Sequence, residues 1–110
     1  QTLAFAQVCD AVTGPETGVL NAMGQEPDVG KLLFLSHSTA RNISEHWVNT
    51  VNLEAKGCEC WPCHKLHGSG FTTCTRDEET GAALCQARIS LEDFMDGLNG
   101  LLRTHRRKAA

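Results

Sequence analysis

The sequence predicts a mainly α protein, a small single domain over residues 1–110 with four to five short helices, a cysteine-rich irregular segment and one β-hairpin as an option. Apolar residues recur three or four positions apart in several segments, which is the spacing of a buried helix face. Glycine or proline follows most of these segments. Five of the six cysteines lie between positions 58 and 85, in a stretch without that periodicity. A chain of 110 residues has the length of one domain with one modest core.

The first helix is predicted over residues 2–13, and a short one over residues 16–23. Apolar side chains define one face of the first helix: Phe5, Val8, Cys9 and Val12. Gly14-Pro15 ends it, because proline cannot continue the hydrogen-bond pattern of a helix interior.

Pro27-Asp28 predicts the start of another helix, since proline is tolerated in the first turn and an acidic residue is favoured there. A further helix is predicted over residues 43–56, with Gly57 as its end. The side chains expected to be buried are Val29, Leu32, Leu33 and Leu35 in the former and Ile43, Trp47, Val48 and Val51 in the latter.

Residues 57–70 are predicted to be irregular, because they combine three cysteines, a proline and three glycines. Residues 71–76 and 82–88 flank a polar segment that ends at Gly81, which favours a short hairpin. A helix over residues 78–87 is the alternative.

The last helix has the clearest pattern. Ser90 can cap its start, and Asp93 three residues later resembles a capping box. One continuous apolar stripe follows: Leu91, Phe94, Met95, Leu98, Leu101 and Leu102. Gly97 and Gly100 each weaken a helix by about 1 kcal/mol relative to alanine, unless another backbone packs closely there.

The charge balance excludes some partners. A formal net charge of −3 argues against nucleic-acid binding, and no apolar run reaches the length of a membrane span. Basic residues cluster near the end of the chain: Arg103, Arg106, Arg107 and Lys108. Cations are favoured at a helix C-terminus, and a patch for a receptor or an anionic partner is the alternative interpretation.

Six cysteines, an even number, predict a disulfide framework and therefore an extracytoplasmic protein, secreted or periplasmic. Fifteen pairings are open for six cysteines, and the sequence does not choose between them. Asn42-Ile43-Ser44 is an acceptor triplet for N-glycosylation, so Asn42 is a candidate modification site.

The densest chemistry lies at Cys60-x-x-Cys63-His64, which has the spacing of covalent haem attachment. With this motif the sequence resembles the c-type cytochromes over about a third of its length. The segment 30–34 is similar to the helix that precedes the motif in that family, and the segment 64–68 to the stretch that follows it. The resemblance implies haem c as cofactor, thioether bonds from Cys60 and Cys63, and His64 as the ligand of iron.

The sixth iron ligand is left open among several residues: Met23, His37, His46, Met95, His67 and His105. Haem attachment would leave four cysteines for two disulfides: Cys9, Cys58, Cys74 and Cys85. Without haem, all six could form three disulfides.

Two further interpretations use the same segment. Cys60-Trp61-Pro62-Cys63 is similar to thiol–disulfide exchange sites, although no βαβ pattern is predicted around it. A zinc site has suitable ligand types in Cys58, Cys60, Cys63, His64 and His67, but the spacing matches no known zinc module.

The segment 90–103 resembles the final helix of short-chain helical cytokines of the interleukin-4 and interleukin-13 kind. The matching positions are Leu91, Glu92, Phe94, Leu98 and Arg103. This resemblance implies a disulfide-stapled secreted signal that binds a receptor through its last helix. A small secreted effector or pheromone is a related option.

No nucleophile elbow, phosphate loop or metalloprotease motif is present in the sequence, so we expect no enzymatic activity. The leading hypothesis is a small exported haem protein that carries electrons and meets a redox partner protein. The alternative is the secreted signalling protein with a receptor as its partner.

Overall fold

The computed structural model describes residues 1–64 and 74–105. Its centre is a parallel sheet of three strands in the order β1-β2-β3: β1 Ala11–Pro15, β2 Gly30–Leu35 and β3 Thr50–Glu54. The fold is therefore of the α/β class, and the prediction of a mainly α domain is wrong.

Five helices accompany the sheet in the described residues: α1 Thr2–Val8, α2 Gly18–Met23, α3 Ala40–Ile43, α4 Leu84–Ala87 and α5 Leu91–His105. The chain runs β1-α2-β2-α3-β3, so a helix lies in each connection between neighbouring strands. Parallel strands need such crossover connections, because their ends lie at opposite edges of the sheet.

Helices cover both faces of the sheet. On one face Leu33 and Leu35 pack against Leu20 of α2. On the other face Leu32 packs against Leu101 of α5. Consecutive leucines of β2 serve opposite faces because side chains alternate along a strand. The result is a three-layer arrangement of helix, sheet and helix.

The helix predicted to begin at Pro27-Asp28 is wrong, because Gly30–Leu35 is the central strand β2. Every residue of β2 except Phe34 is buried. A strand covered on both faces shows a continuous apolar run without alternation, and such a short run has no period that separates it from a buried helix.

The helices predicted over residues 2–13 and 43–56 are each partly wrong. The first ends at Val8, and β1 begins at Ala11. In the second range α3 ends at Ile43, and β3 begins at Thr50. In both places β2 supplies the partner that turns the segment into a strand. Tertiary pairing of this kind overrides local helical periodicity.

The hairpin and the helix that compete over residues 78–87 are each present in part. Arg76 and Ala83 form an isolated antiparallel bridge around the turn at Gly81, and α4 begins directly after it. In the turn Thr80 donates to Asp77 through its amide and its hydroxyl, at 2.9 and 2.8 Å. These hydrogen bonds lower the pKa of Asp77. Residues 71–73 of the predicted hairpin lie outside the described residues.

The last helix is confirmed, since α5 begins at Leu91 and the Asp93 amide donates to Ser90 Oγ at 3.0 Å. The short helix predicted over residues 16–23 is confirmed as α2. At Gly97 a Cβ would lie 2.9 Å from Val51 Cγ1, so a glycine lets α5 approach the sheet closely at this position. Arg106, Arg107 and Lys108 lie outside the described residues.

A helix that crosses a lipid bilayer must be long and apolar. Within residues 1–64 and 74–105, no helix combines the length and the apolar character needed to cross a membrane.

Candidate functional site

The carboxyl ends of the three parallel strands meet at one edge of the sheet, called here the carboxyl edge. Glu16 follows the last residue of β1, His37 lies two residues after β2, and Glu54 is the last residue of β3. In open α/β sheets, ligands bind in the crevice outside the carboxyl ends of the strands. The same edge is therefore the first place to look for a site in this chain.

Glu16 and His37 contact each other at this edge. Glu16 Oε2 lies 3.6 Å from His37 Nε2, and the glutamate side chain is only 13% exposed. Its other oxygen, Oε1, is buried and accepts no hydrogen bond from any described residue. A buried polar atom without a partner destabilises a fold by about 1–3 kcal/mol, and more when the group is charged. Such an atom needs an explanation in the function of the protein.

Glu54 has a different role from Glu16. Its Oε1 accepts a hydrogen bond from the amide of Ala40, the first residue of α3, at 3.0 Å. The first amides of a helix have no partner within the helix, so this carboxylate satisfies one of them. Glu54 therefore holds the start of α3 against the end of β3.

The segment 57–64, called here the cysteine loop, brings His64 to the carboxyl edge. The His64 amide donates to the His37 carbonyl at 2.8 Å. Its Nδ1 lies 3.3 Å from both Ser38 Oγ and Asn42 Nδ2. With the Asn42 amide as donor, Nδ1 accepts, and Nε2 carries the proton and can donate to a ligand. These contacts hold His64 at a φ of 53°, a left-handed conformation that non-glycine residues rarely adopt.

Trp61 attaches the cysteine loop to the sheet. Its indole Nε1 donates to the carbonyl of Leu35, the last residue of β2, at 3.2 Å. Its amide donates to the Cys58 carbonyl at 3.1 Å, and the Trp61-Pro62 peptide bond is cis. The indole therefore lies at the end of the central strand and is half-buried beside the candidate site.

A cavity of about 270 Å³ opens at the same edge. Its lining residues come from the ends of β1 and β2, the next loop, α4 and the segment that follows it: Pro15, Phe34, Ser36, Gln86 and Ile89. Ile89 and Phe34 belong to the cluster that packs beneath α5. Ser36 lines this cavity, whereas the next residue, His37, contacts Glu16. The cavity and the polar groups thus flank the same strand ends.

Four cysteines gather beside the site, and none of the six cysteines of the chain forms a disulfide bond. Cys58 Sγ lies 3.5 Å from Cys60 Sγ. The hydrogen bond with Cys58 raises the pKa of the Cys60 thiol. Burial raises the pKa of the Cys85 thiol, and the nearby Cys58 and Cys74 raise it further. The thiols of Cys60 and Cys85 therefore lose their protons less readily than an ordinary cysteine.

The structure separates Cys9 from this group. Cys9 lies at the end of α1, and its thiol contacts the Phe5 carbonyl at 3.3 Å. It precedes β1, so it lies at the amino edge of the sheet, whereas Cys58 follows β3 at the carboxyl edge. Five residues of strand span roughly 16 Å, which is far beyond the reach of a disulfide bond. Of the four disulfide candidates left by haem attachment, the structure therefore brings together only Cys58, Cys74 and Cys85.

The haem motif is only partly arranged for a haem. With Nδ1 accepting from Asn42, His64 Nε2 carries the proton and has no lone pair for iron; a ligating Nε2 requires the other tautomer, with Nδ1 donating to Ser38 Oγ. The Cys60 thiol contacts Cys58, and the groups around His64 are polar, whereas a haem needs an apolar pocket. These surroundings do not favour a covalently attached haem, and haem attachment stays a prediction.

In the part of the chain that the structure describes, no three His, Cys, Asp or Glu side chains are arranged to hold a metal ion. Among the proposed sixth ligands, Met23 is buried at the end of α2, and Met95 and His46 are exposed. His67 and the side chain of His105 lie outside the described residues.

The sequence motifs single out Cys60, His64 and Asn42, but they do not show that these residues lie near Glu16 and His37. From the sequence, His37 is a candidate only as a ligand of iron, Asn42 only as a glycosylation site, and Glu16 only as the start of a helix. The missed signal is an acidic residue directly after a strand, at Gly14-Pro15-Glu16. That signal becomes visible only when residues 11–15 are recognised as a strand.

Comparisons with known proteins add no identity. No protein-family model, no curated protein and no solved structure matches this chain.

Proposed function

We propose that this chain binds a nucleoside or nucleotide at the carboxyl edge of its sheet. The order β1-α2-β2-α3-β3, with neighbouring parallel strands and helices on both faces, is that of one half of a doubly wound sheet. Such βαβαβ halves bind mononucleotides beyond the carboxyl ends of their strands. The arrangement supports this class of ligand, and the side chains at the edge define how it would be held.

The buried, unpartnered Oε1 of Glu16 is the observation that carries this proposal. A ribose offers two neighbouring hydroxyl groups, and a carboxylate at a strand end accepts hydrogen bonds from such hydroxyls in nucleotide-binding sheets. His37 keeps the carboxylate in place through Oε2. Because Oε1 is buried, the carboxyl edge must open for a ligand hydroxyl to reach it, and the hydrogen bond would then offset the penalty of its burial.

The cavity at the carboxyl edge is the second observation that supports the proposed ligand. Its volume of about 270 Å³ lies near the lower end of the range of small-molecule pockets and suits one ring system. Phe34, Ile89 and Pro15 offer apolar walls to a base, while Ser36 and Gln86 offer polar groups to its edge. His64 Nε2 is the donor available to a phosphate oxygen if the ligand carries one.

Calorimetric titration with adenosine, ADP and UDP tests the proposal. We expect at least one of them to bind, and we expect Glu16→Gln to weaken that binding about 10-fold or more, as expected for a charged hydrogen bond of 1.5–3 kcal/mol. Glu45→Gln is the matched control, because Glu45 also contacts a histidine, His46, but both are exposed and away from the edge. That variant should bind like the unchanged chain.

Two outcomes would contradict the proposal: no binding of any of the three compounds at millimolar concentration, or equal affinities of the Glu16→Gln and Glu45→Gln variants. Comparing adenosine with ADP shows whether the phosphate contributes. A gain from the phosphate that disappears in His64→Ala would identify His64 as its donor.

The earlier hypotheses stay predictions beside this one. A Soret band together with a haem-sized mass that survives reduction would establish an electron-carrying haem protein. Binding to a receptor on target cells would support a secreted signal.

A further inference from the structure

We propose that Cys58 and Cys60 form a redox-active dithiol, which oxidises to a disulfide inside the cysteine loop. This inference goes beyond ligand binding at the carboxyl edge and does not depend on it. The thiols of Cys58 and Cys60 are in contact, with 3.5 Å between the two Sγ atoms.

The two thiols need little movement to react. A disulfide bond measures about 2.05 Å, so the sulfur atoms must approach by roughly 1.5 Å, which rotation of the two short side chains can supply. Cys58 and Cys60 are separated only by Glu59, so the bond closes a small ring without moving β3 or α4. The loop itself carries no helix or strand that would resist the change.

The unequal exposure of the thiols sets the order of events. Cys60 is exposed, whereas Cys58 is only 8% exposed. A low-molecular-weight disulfide such as oxidised glutathione therefore reaches Cys60 first. The Cys60 thiolate attacks one sulfur of the oxidant and releases one glutathione, leaving a mixed disulfide. Cys58 then attacks the Cys60 sulfur and releases the second glutathione.

The reaction is balanced. The two cysteine thiols together lose two electrons and two protons, and the oxidised glutathione gains both and becomes two thiols. The attacking group is the thiolate, and the hydrogen bond with Cys58 raises the pKa of the Cys60 thiol. We therefore expect the exchange to become faster as the solution becomes alkaline.

We expect oxidation to change the environment of Trp61, which lies beside the candidate site. This residue follows Cys60 directly and holds the loop to the end of β2 by its indole hydrogen bond to the Leu35 carbonyl. The disulfide bond formed at Cys58–Cys60 ends at the residue directly before the indole. The inference therefore includes a change of Trp61 fluorescence on oxidation.

The test is to incubate the chain with oxidised glutathione, block remaining thiols, and digest with a glutamate-specific protease and trypsin. Cleavage after Glu59 separates Cys58 from Cys60, and cleavage after Lys65 separates Cys60 from Cys74. We expect the peptide 57–59 to stay joined to the peptide 60–65. Cys63→Ser should keep this link and Cys60→Ser should lose it.

Cys63→Ser is the matched control, because Cys63 lies in the same loop and in the same peptide. Circular dichroism of both variants checks that the fold is kept. Unchanged fluorescence on oxidation, or loss of the link in Cys63→Ser, would overturn the inference. So would a link from Cys58 to the peptide 80–88 that holds Cys85, or stoichiometric zinc released by thiol blocking.

Discussion

The two edges of the sheet differ in whether their buried polar groups have hydrogen-bond partners within the protein. At the amino edge the polar side chains are paired within the protein, even where they are fully buried. At the carboxyl edge a buried carboxylate oxygen has no described partner, and several thiols lie together. The contrast indicates that the polar side chains of the amino edge stabilise the fold, whereas the carboxyl edge holds a buried oxygen that no described residue satisfies.

Lys31 is an example of a buried polar side chain that has a hydrogen-bond partner at the amino edge. Its side chain is fully buried in β2, and its Nζ donates to the Glu26 carbonyl at 2.6 Å. Gln25 Nε2 donates to the His46 carbonyl at 2.8 Å, and Asn49 Nδ2 donates to the Pro27 carbonyl. These bonds join the loops before β2 and β3. They leave no buried side-chain oxygen or nitrogen of the described amino edge without a partner.

The largest expected effect on stability comes from the glycines at the two ends of α2, Gly18 as its first residue and Gly24 as its C-cap. At Gly24, near the amino edge, a Cβ would lie 2.9 Å from the indole of Trp47, and at Gly18, near the carboxyl edge, it would meet nothing within 4 Å. We expect Gly24→Ala to lower the free energy of unfolding by about 1–3 kcal/mol, as overpacking does. Gly18→Ala should leave it unchanged or raise it by up to about 1 kcal/mol. Urea unfolding measures both.

Equal stabilities of these two variants would break the comparison between the edges. A large loss in Gly18→Ala would show that the start of α2 is as tightly packed as its end.

A smaller effect is expected at Lys31. Burial lowers its pKa, and the nearby Glu26 opposes that shift. Between this lowered pKa and the ordinary one, the unfolded chain binds more protons, so the contribution of Lys31 to the free energy of unfolding rises with pH. At lower pH Lys31 is charged in both states, and its contribution is constant. We therefore expect the chain to gain stability relative to Lys31→Met as the solution becomes alkaline.

Thermal unfolding of both proteins from neutral pH to about pH 10 measures that difference, within the range where lysine titrates. The thiols of Cys60 and Cys85 have raised pKa values and act in the opposite direction, but they are common to both proteins and cancel in the comparison. A constant difference across this range would show that Lys31 does not titrate with a lowered pKa.

The smallest effect on stability is expected at the carboxyl edge. Glu16→Gln keeps the shape of the side chain and removes a buried charge whose Oε1 has no described partner. It also weakens the contact with His37. We expect these changes to offset one another, so that the free energy of unfolding changes by about 0.5 kcal/mol or less. Urea unfolding of Glu16→Gln beside Gly24→Ala measures this. A loss as large as that of Gly24→Ala would make Glu16 a structural residue and weaken the proposed binding role.

Part of the fold was predictable because some signals are local. Ser90 and Asp93 lie within one turn, so the cap of α5 depends on nothing distant. Gly97 was expected to weaken α5 unless another backbone packs closely there, and the structure instead places side chains of β2 and β3 against it. The segment 30–35 was mispredicted because five of its six residues are buried, on both faces of the sheet, and that burial depends on helices far away in the sequence.

The candidate site was predicted only as separate pieces. Cys60 and His64 attracted attention because they form a compact motif, whereas Glu16 and His37 are ordinary residues in sequence. They become a pair at 3.6 Å only when β1 and β2 lie side by side with their ends level. A resemblance of short motifs to known families could not supply that register.

The sequence by itself determined the local features: the caps and stripe of α5, the short helix α2, the irregular cysteine loop and the concentration of thiols within it. Only the tertiary structure decided that three segments are strands, that their polar ends meet at one edge, and that Cys9 is far from the other thiols of the disulfide candidates. The reason is physical. A helix satisfies its hydrogen bonds within a few residues, whereas a parallel strand finds its partners only across long crossovers, and a site at the strand ends exists only once those partners are in register.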